Sequence, residues 1–294
     1  MKIKNKKTRG FVISISVMLL AIALLYFALI VSIYSNSLKS ANAELAGIER
    51  VNSQYDSASY GIKSILSAEL VNVTIAQSTG TTANISFKQN LSETARARYF
   101  TEVGRFQSFI QAQAIEGNVT VNLANGVSAP VIYVRPANIT VSYTVGKVAY
   151  SPLNNAYSAG RVTGYSLLIK LNDRPTPGLN WTTLNTLSAS DPNAVYFHIG
   201  VQGTNGTVSD TKYLDKYQNS TLLMQNSGGQ SVITVQARSP AYLDVNYALN
   251  LNGSMETILQ LNNTATVELG SGSVINISRV GEIEKTGTVI LVES

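Results

Sequence analysis

The chain has 294 residues, a formal net charge of +5, 45% apolar residues and no cysteine. That apolar content argues against intrinsic disorder, and without disulfides the folded part must rely on its core. Five of the 22 Lys and Arg precede residue 11 and the other 17 balance the 17 acidic residues. The folded part therefore lacks the clustered basic surface of a nucleic-acid binder, and no nucleic-acid partner is expected.

Residues 1–10 form a basic leader with Lys2, Lys4, Lys6, Lys7 and Arg9. Phe11–Ile33 follows, 23 residues with no charge, Pro or Gly. As a helix it reaches roughly 35 Å, enough to cross a hydrocarbon core of about 30 Å. Tyr34, Ser35, Asn36 and Ser37 and a lone Lys39 stand on its far side. The positive-inside rule then puts the N-terminus in the cytoplasm and residues 34–294 outside, with Tyr34 at the outer interface. The lipid bilayer is thus the first expected partner. A secretory signal has a shorter apolar core of about 7–15 residues, although Ala41-Asn42-Ala43 offers an A-x-A cleavage site downstream.

The junction Lys7-Thr8-Arg9-Gly10-Phe11, running into an apolar helix, resembles the class III signal of type IV pilins and archaeal pilin-like proteins. The resemblance is confined to about residues 6–35. It implies cleavage after Gly10, a mature chain beginning at Phe11, and like subunits associating through the retained helix. Many type IV pilins carry Glu as the fifth mature residue, and Ile15 occupies that place here. A plain single-pass anchor accounts for the same residues.

Residues 34–117 read as a helical stalk with a hairpin and a second helix. Leu38, Ala41, Leu45, Ile48, Tyr55, Ile62 and Leu66 recur at helical spacing and make one apolar stripe. With no Pro before Pro130, the first helix is expected to run on to about residue 68, roughly 87 Å from Phe11. Gly47 and Gly61 are places where it could bend. Val71, Val73 and Ile75 then alternate with polar residues, Ser78-Thr79-Gly80-Thr81 turns, and Asn84–Phe87 returns as a hairpin. The second, amphipathic helix is expected from Ser92 to Ala114, with Ser92 as N-cap, Tyr99, Val103, Phe106 and Ile110 on its apolar face, and Gly117 as its stop.

Residues 118–294 read as a mainly antiparallel β-sandwich, giving an α+β chain overall. Strands are expected at Val119–Leu123, Val131–Val134, Ile139–Val148, Tyr165–Leu171, Val195–Val201, Thr221–Gln225 and Val232–Ala237. A meander continues through Leu243–Leu251, Glu256–Leu261, Ala265–Leu269, Val274–Val280 and Thr288–Val292. Asn125-Gly126, Asn205-Gly206 and Asn252-Gly253 mark turns, and Gly200-Val201-Gln202-Gly203 and Gly270-Ser271-Gly272 read as turn glycines.

The most widespread motif is Asn-x-Ser/Thr, at Asn72, Asn84, Asn90, Asn118, Asn138, Asn180, Asn205, Asn219, Asn252, Asn262 and Asn276. All 11 follow the apolar stretch and none has a central Pro, so all are candidate glycosylation sites on an extracellular chain. An Asn- and Thr-rich β protein also produces such triplets from composition alone. The chemistry of an enzyme is otherwise missing. His198 is the sole histidine, in a strand-like setting, and a histidine base needs a positioned partner. Asp173, Asp191, Asp210 and Asp215 are too scattered for a calcium loop, Asp210–Lys216 reads as a solvated charge run, and Glu282 and Glu284 as exposed acids. No transition-metal set, cofactor motif or phosphate loop is found, and the chain is read as a non-enzyme. Trp181, in a loop-like region from Pro175 to Asn193 with Tyr157 and Tyr196 near its ends, could stack on sugar or plug the sandwich edge. These features point to a membrane-anchored surface protein of structural or adhesive role. The alternative is an anchored module that binds surface carbohydrate or protein without polymerising.

Overall fold

The computed structural model describes residues 4–77, 81–116, 119–124, 130–153, 155–262, 267–279 and 283–293. The chain divides into two compact units, Met1–Asn52 and Ser53–Ser294. Helix α1 (Lys4–Ile65) contributes to both. It closes in one wider π turn, Leu66–Leu70, after which Val71 adopts extended backbone and the first strand begins.

The first unit is α1 alone. Its large apolar side chains between Ile15 and Tyr34 are exposed, Leu25 to 70% and Tyr26 to 68%. Among the described residues this is the one helix long and apolar enough to cross a membrane. Of the expected stripe, Leu38, Ala41, Leu45 and Ile48 are exposed, whereas Ile62 and Leu66 in the second unit are buried.

In the second unit, β1 (Val71–Gln77) and β2 (Ala83–Asn90) form the expected hairpin, whose turn residues 78–80 lie outside the described ones. Helix α2 (Glu93–Glu116) follows, beside the α1 end. Gly61 of α1 faces Phe106 of α2 so closely that a Cβ would overlap the ring, so the glycine serves close packing. The chain then alternates between β3 (Val119–Ala124), β4 (Val131–Arg135), β5 (Ile139–Thr144), β6 (Lys147–Pro152), the short α3 (Asn155–Arg161), β7 (Val162–Leu171), β8 (Gly178–Thr183), β9 (Ala194–Gly203) and β10 (Gly206–Asp215). It ends with β11 (Ser220–Gln225), β12 (Ser231–Arg238), β13 (Tyr242–Tyr247), β14 (Gly253–Leu261), β15 (Glu268–Arg279) and β16 (Ile283–Glu293).

These strands build two sheets. The smaller has the order β1-β2-β14-β7-β9-β10, and the larger β16-β15-β4-β5-β6-β13-β12-β11-β8, with β3 also beside β15. All described pairings are antiparallel except β7 with β9. Those two run parallel because the intervening β8 belongs to the other sheet, which supplies the crossover that a parallel pair requires. Period-two alternation buries one face of each sheet, as in β2, where Ala83, Ile85, Phe87 and Gln89 point inward. The inner faces meet in an aromatic chain. Phe87 of the smaller sheet packs edge-on against Tyr150 of the larger at 5.6 Å, and Tyr150 against Tyr165 at 5.9 Å. The unit is therefore a mostly antiparallel, sandwich-like domain.

Edge strands are guarded. At one corner, the Tyr55 hydroxyl donates to the Thr288 carbonyl of β16 at 3.3 Å, and the Lys285 ammonium sits 4.3 Å over the Tyr55 ring. At the other, the residues after β8 tie back to β10, with Leu187 N–H donating to Tyr213 O at 2.9 Å and Asp215 N–H to Asn185 O at 3.0 Å. Covering edges in this way limits pairing with other chains.

Several strand expectations are corrected. Ile139–Val148 is a hairpin, not one strand, because Val145-Gly146 turns with Gly146 at φ 64°. The loop expected at Pro175–Asn193 contains β8, and the supposed charge run lies largely within β10. The expected turn glycines Gly200 and Gly203 lie within β9, and Gly270 and Gly272 inside the single strand β15, where the register against β16 shifts, rather than in a turn between two strands. The expected terminal meander is broken, since β14 joins the smaller sheet and β13, β15 and β16 the larger. Gly117 and Asn125-Gly126 lie outside the described residues.

Candidate functional site

Gly10 and Phe11 fall in the first turns of α1. Of the sequon asparagines, Asn118 lies outside the described residues. Asn72, Asn90, Asn138, Asn180, Asn205, Asn219 and Asn252 are exposed, and Asn84, Asn262 and Asn276 half-buried. Their amides differ in which atom is engaged. Asn90 Oδ1 accepts from Ser92 N–H at 3.0 Å, Asn205 Oδ1 from Thr176 N–H at 2.6 Å, and Asn252 Oδ1 from Asn172 Nδ2 at 3.2 Å. In these three the oxygen is bonded, and the nitrogen that a sugar would join has no hydrogen-bond acceptor among the described residues. Asn276 is the reverse, its Nδ2 donating to Glu284 at 2.7 Å across β15 and β16. Asn180 Nδ2 points to Gln225 at 3.5 Å.

The side chains considered for chemistry are engaged in hydrogen bonds or ring contacts with their neighbours. Trp181 stands on β8, its indole N–H donating to Asp210 Oδ2 at 2.8 Å and its ring edge-on to Phe197 at 5.8 Å. It thus joins the edge of the larger sheet to β9 and β10 of the smaller, which is the plugging alternative. Burial pushes the Asp210 carboxyl up, but hydrogen bonds from Trp181, Lys212 and the Thr211 amide, with the Lys212 charge, outweigh it and hold its pKa below the usual value. His198 Nδ1 lies 2.9 Å from Thr211 Oγ1 on the outer face of the smaller sheet. Glu284 accepts from Asn276, and Glu282 lies outside the described residues. No three His, Cys, Asp or Glu gather into a metal-binding set among the described residues.

Sequence reasoning missed a concavity. The outer face of the smaller sheet holds an open groove of about 710 Å³. Register lays residues in rows across the strands. One row runs Asn90, Ser254, Lys170, Gln202, Thr207 over β2, β14, β7, β9 and β10. The next runs Lys88, Glu256, Leu168, Gly200, Ser209. The missing side chain of buried Gly200 lets Leu168, 42% exposed, lie across it, with Leu168 Cδ2 3.2 Å from where a Cβ would stand. Lys88 lies 3.6 Å from Glu256, which also accepts from the Ser86 hydroxyl at 2.6 Å. Lys170 has no carboxylate within 4 Å among the described residues. The sequence signal for the β9–β10 hairpin was Asn205-Gly206, of which Asn205 lies in the two-residue turn Thr204-Asn205 and Gly206 opens β10 opposite Gly203.

Comparison of the chain with protein-family models, curated proteins and solved structures returned no match.

Proposed function

We propose that the chain is a membrane-anchored, pilin-like surface protein whose β-rich unit faces the cell exterior in a structural or adhesive role. The observation that carries this reading is the exposed apolar surface of α1 from Ile15 to Tyr34, which a soluble helix would have to bury. The basic leader and the resemblance at Arg9-Gly10-Phe11 support an N-in orientation, processing after Gly10 and association of like subunits through α1. Exposed sequons support a glycoprotein.

N-terminal sequencing of the protein purified from membranes tests it. A mature chain beginning at Phe11 is expected, and Gly10→Val should block processing while leaving membrane insertion intact. An intact Met1, or a start at Glu44 after Ala41-Asn42-Ala43, overturns the pilin-like reading. The groove favours a second reading, an anchored binding module that does not polymerise, and cross-linking of the native membrane-embedded protein separates the two by whether ladders of like subunits form.

A further inference from the structure

We propose that the groove on the outer face of the six-stranded sheet binds an acidic polysaccharide, a linear chain whose sugars carry carboxylates. This deepens the adhesive reading above and rests on the β-rich unit facing the exterior. Neighbouring strands lie about 4.8 Å apart, so the row from Asn90 to Thr207 spans roughly 19 Å from the first strand to the fifth. Along it every strand contributes one short or flexible polar group. Asn, Gln, Ser and Thr each both donate and accept hydrogen bonds, as do sugar hydroxyls, and a row of them suits a hydroxyl-dense polymer lying across the strands.

The charges choose the class. Lys88 is already partnered by Glu256, which leaves Lys170, at the centre of the row, as the groove's uncompensated cation among the described residues. A carboxylate laid against Lys170 would form a charge-assisted hydrogen bond, stronger than a neutral one. Leu168, lying across the bare Gly200, gives the floor an exposed apolar surface on which the C–H face of a sugar ring can lie. At about 710 Å³ the groove falls within the range of roughly 300–1,000 Å³ typical of small-ligand sites, so it would grip a few sugars of a longer chain.

The test uses the full chain in detergent micelles, titrated calorimetrically with defined oligomers of galacturonate, glucuronate and mannuronate and with their neutral methyl esters. At least one acidic oligomer should bind, its ester at least tenfold more weakly, and added salt should weaken binding. Lys170→Ala should lower affinity about tenfold, the loss of one charge-assisted hydrogen bond, with Lys170→Arg retaining most of it. Gln202→Ala should give a smaller loss, and Arg105→Ala on α2, outside the residues lining the groove, none. Unfolding midpoints read from Trp181 fluorescence establish that each variant is folded. Binding by none of the oligomers, equal binding of acid and ester, or an unchanged affinity in folded Lys170→Ala overturns the proposal. Failure here leaves the Phe11 processing result untouched, so the two readings fail separately.

Discussion

Replacing Gly61 with Ala isolates how the end of α1 docks on α2. In an unencumbered helix the change would stabilise by about 1 kcal/mol, since Gly is the poorer helix former. Here the new methyl overlaps the Phe106 ring at three of its atoms. Overpacking of this kind costs typically about 1–3 kcal/mol. The net effect in the native background is therefore a destabilisation of up to about 2 kcal/mol. Truncating the obstacle reverses the sign, so in a Phe106→Ala background Gly61→Ala should stabilise by about 1 kcal/mol. The two positions then couple by about 1–3 kcal/mol, as expected for residues in contact. Urea unfolding of the full chain in detergent, followed by Trp181, the sole Trp and a residue of the same unit, reads all four corners of the cycle. A stabilising Gly61→Ala in the native background, or additive effects, would refute the packing of the ring on the glycine.

Two further outcomes follow from burial and hydrogen bonding. Burial raises the Tyr99 phenol to about 12 and pushes those of Tyr143, Tyr150 and Tyr165 well above the ordinary 10.0. The unfolded chain ionises first, so their contribution is complete below pH 10 and is lost as pH rises beyond it. Tyrosinate absorbance should therefore show these four ionising only together with loss of native Trp181 fluorescence, and ordinary titration in a folded protein would contradict their burial. Mass spectrometry of glycopeptides from the native host should find sugar at Asn205 and Asn252, whose amide nitrogens are uncommitted, ahead of Asn276, whose nitrogen is bonded to Glu284. Occupancy at Asn276 with those two bare would contradict a role for folded-state geometry in site choice.

What could be read from sequence was what local pattern encodes. The apolar run and the absence of Pro through residue 129 foretell a single long helix, and Val71–Phe87 announces its hairpin by clean alternation. The strands that escaped are those where alternation fails for a physical reason. β8 and β10 are edge strands whose residues are exposed or half-exposed on both faces, with Leu214 the lone buried position between them, so no apolar period marks them. Trp181 illustrates the cost of missing them. In a loop it reads as a free aromatic, whereas on β8 its indole N–H has Asp210 as partner and its ring fills a corner. The split of Ile139–Val148 hung on one glycine in the left-handed region, whose neighbours Val145 and Lys147 look equally at home in a strand. The groove was beyond reach for a different reason. Asn90, Lys170, Gln202, Thr207 and Ser254 come together only because β14, late in the chain, inserts between β2 and β7, and because β8 leaves the sheet and lets β9 lie beside β7. No local spacing connects residue 90 to residue 254. A site made by sheet order has no motif, and its chemistry has to be sought in the rows that register creates.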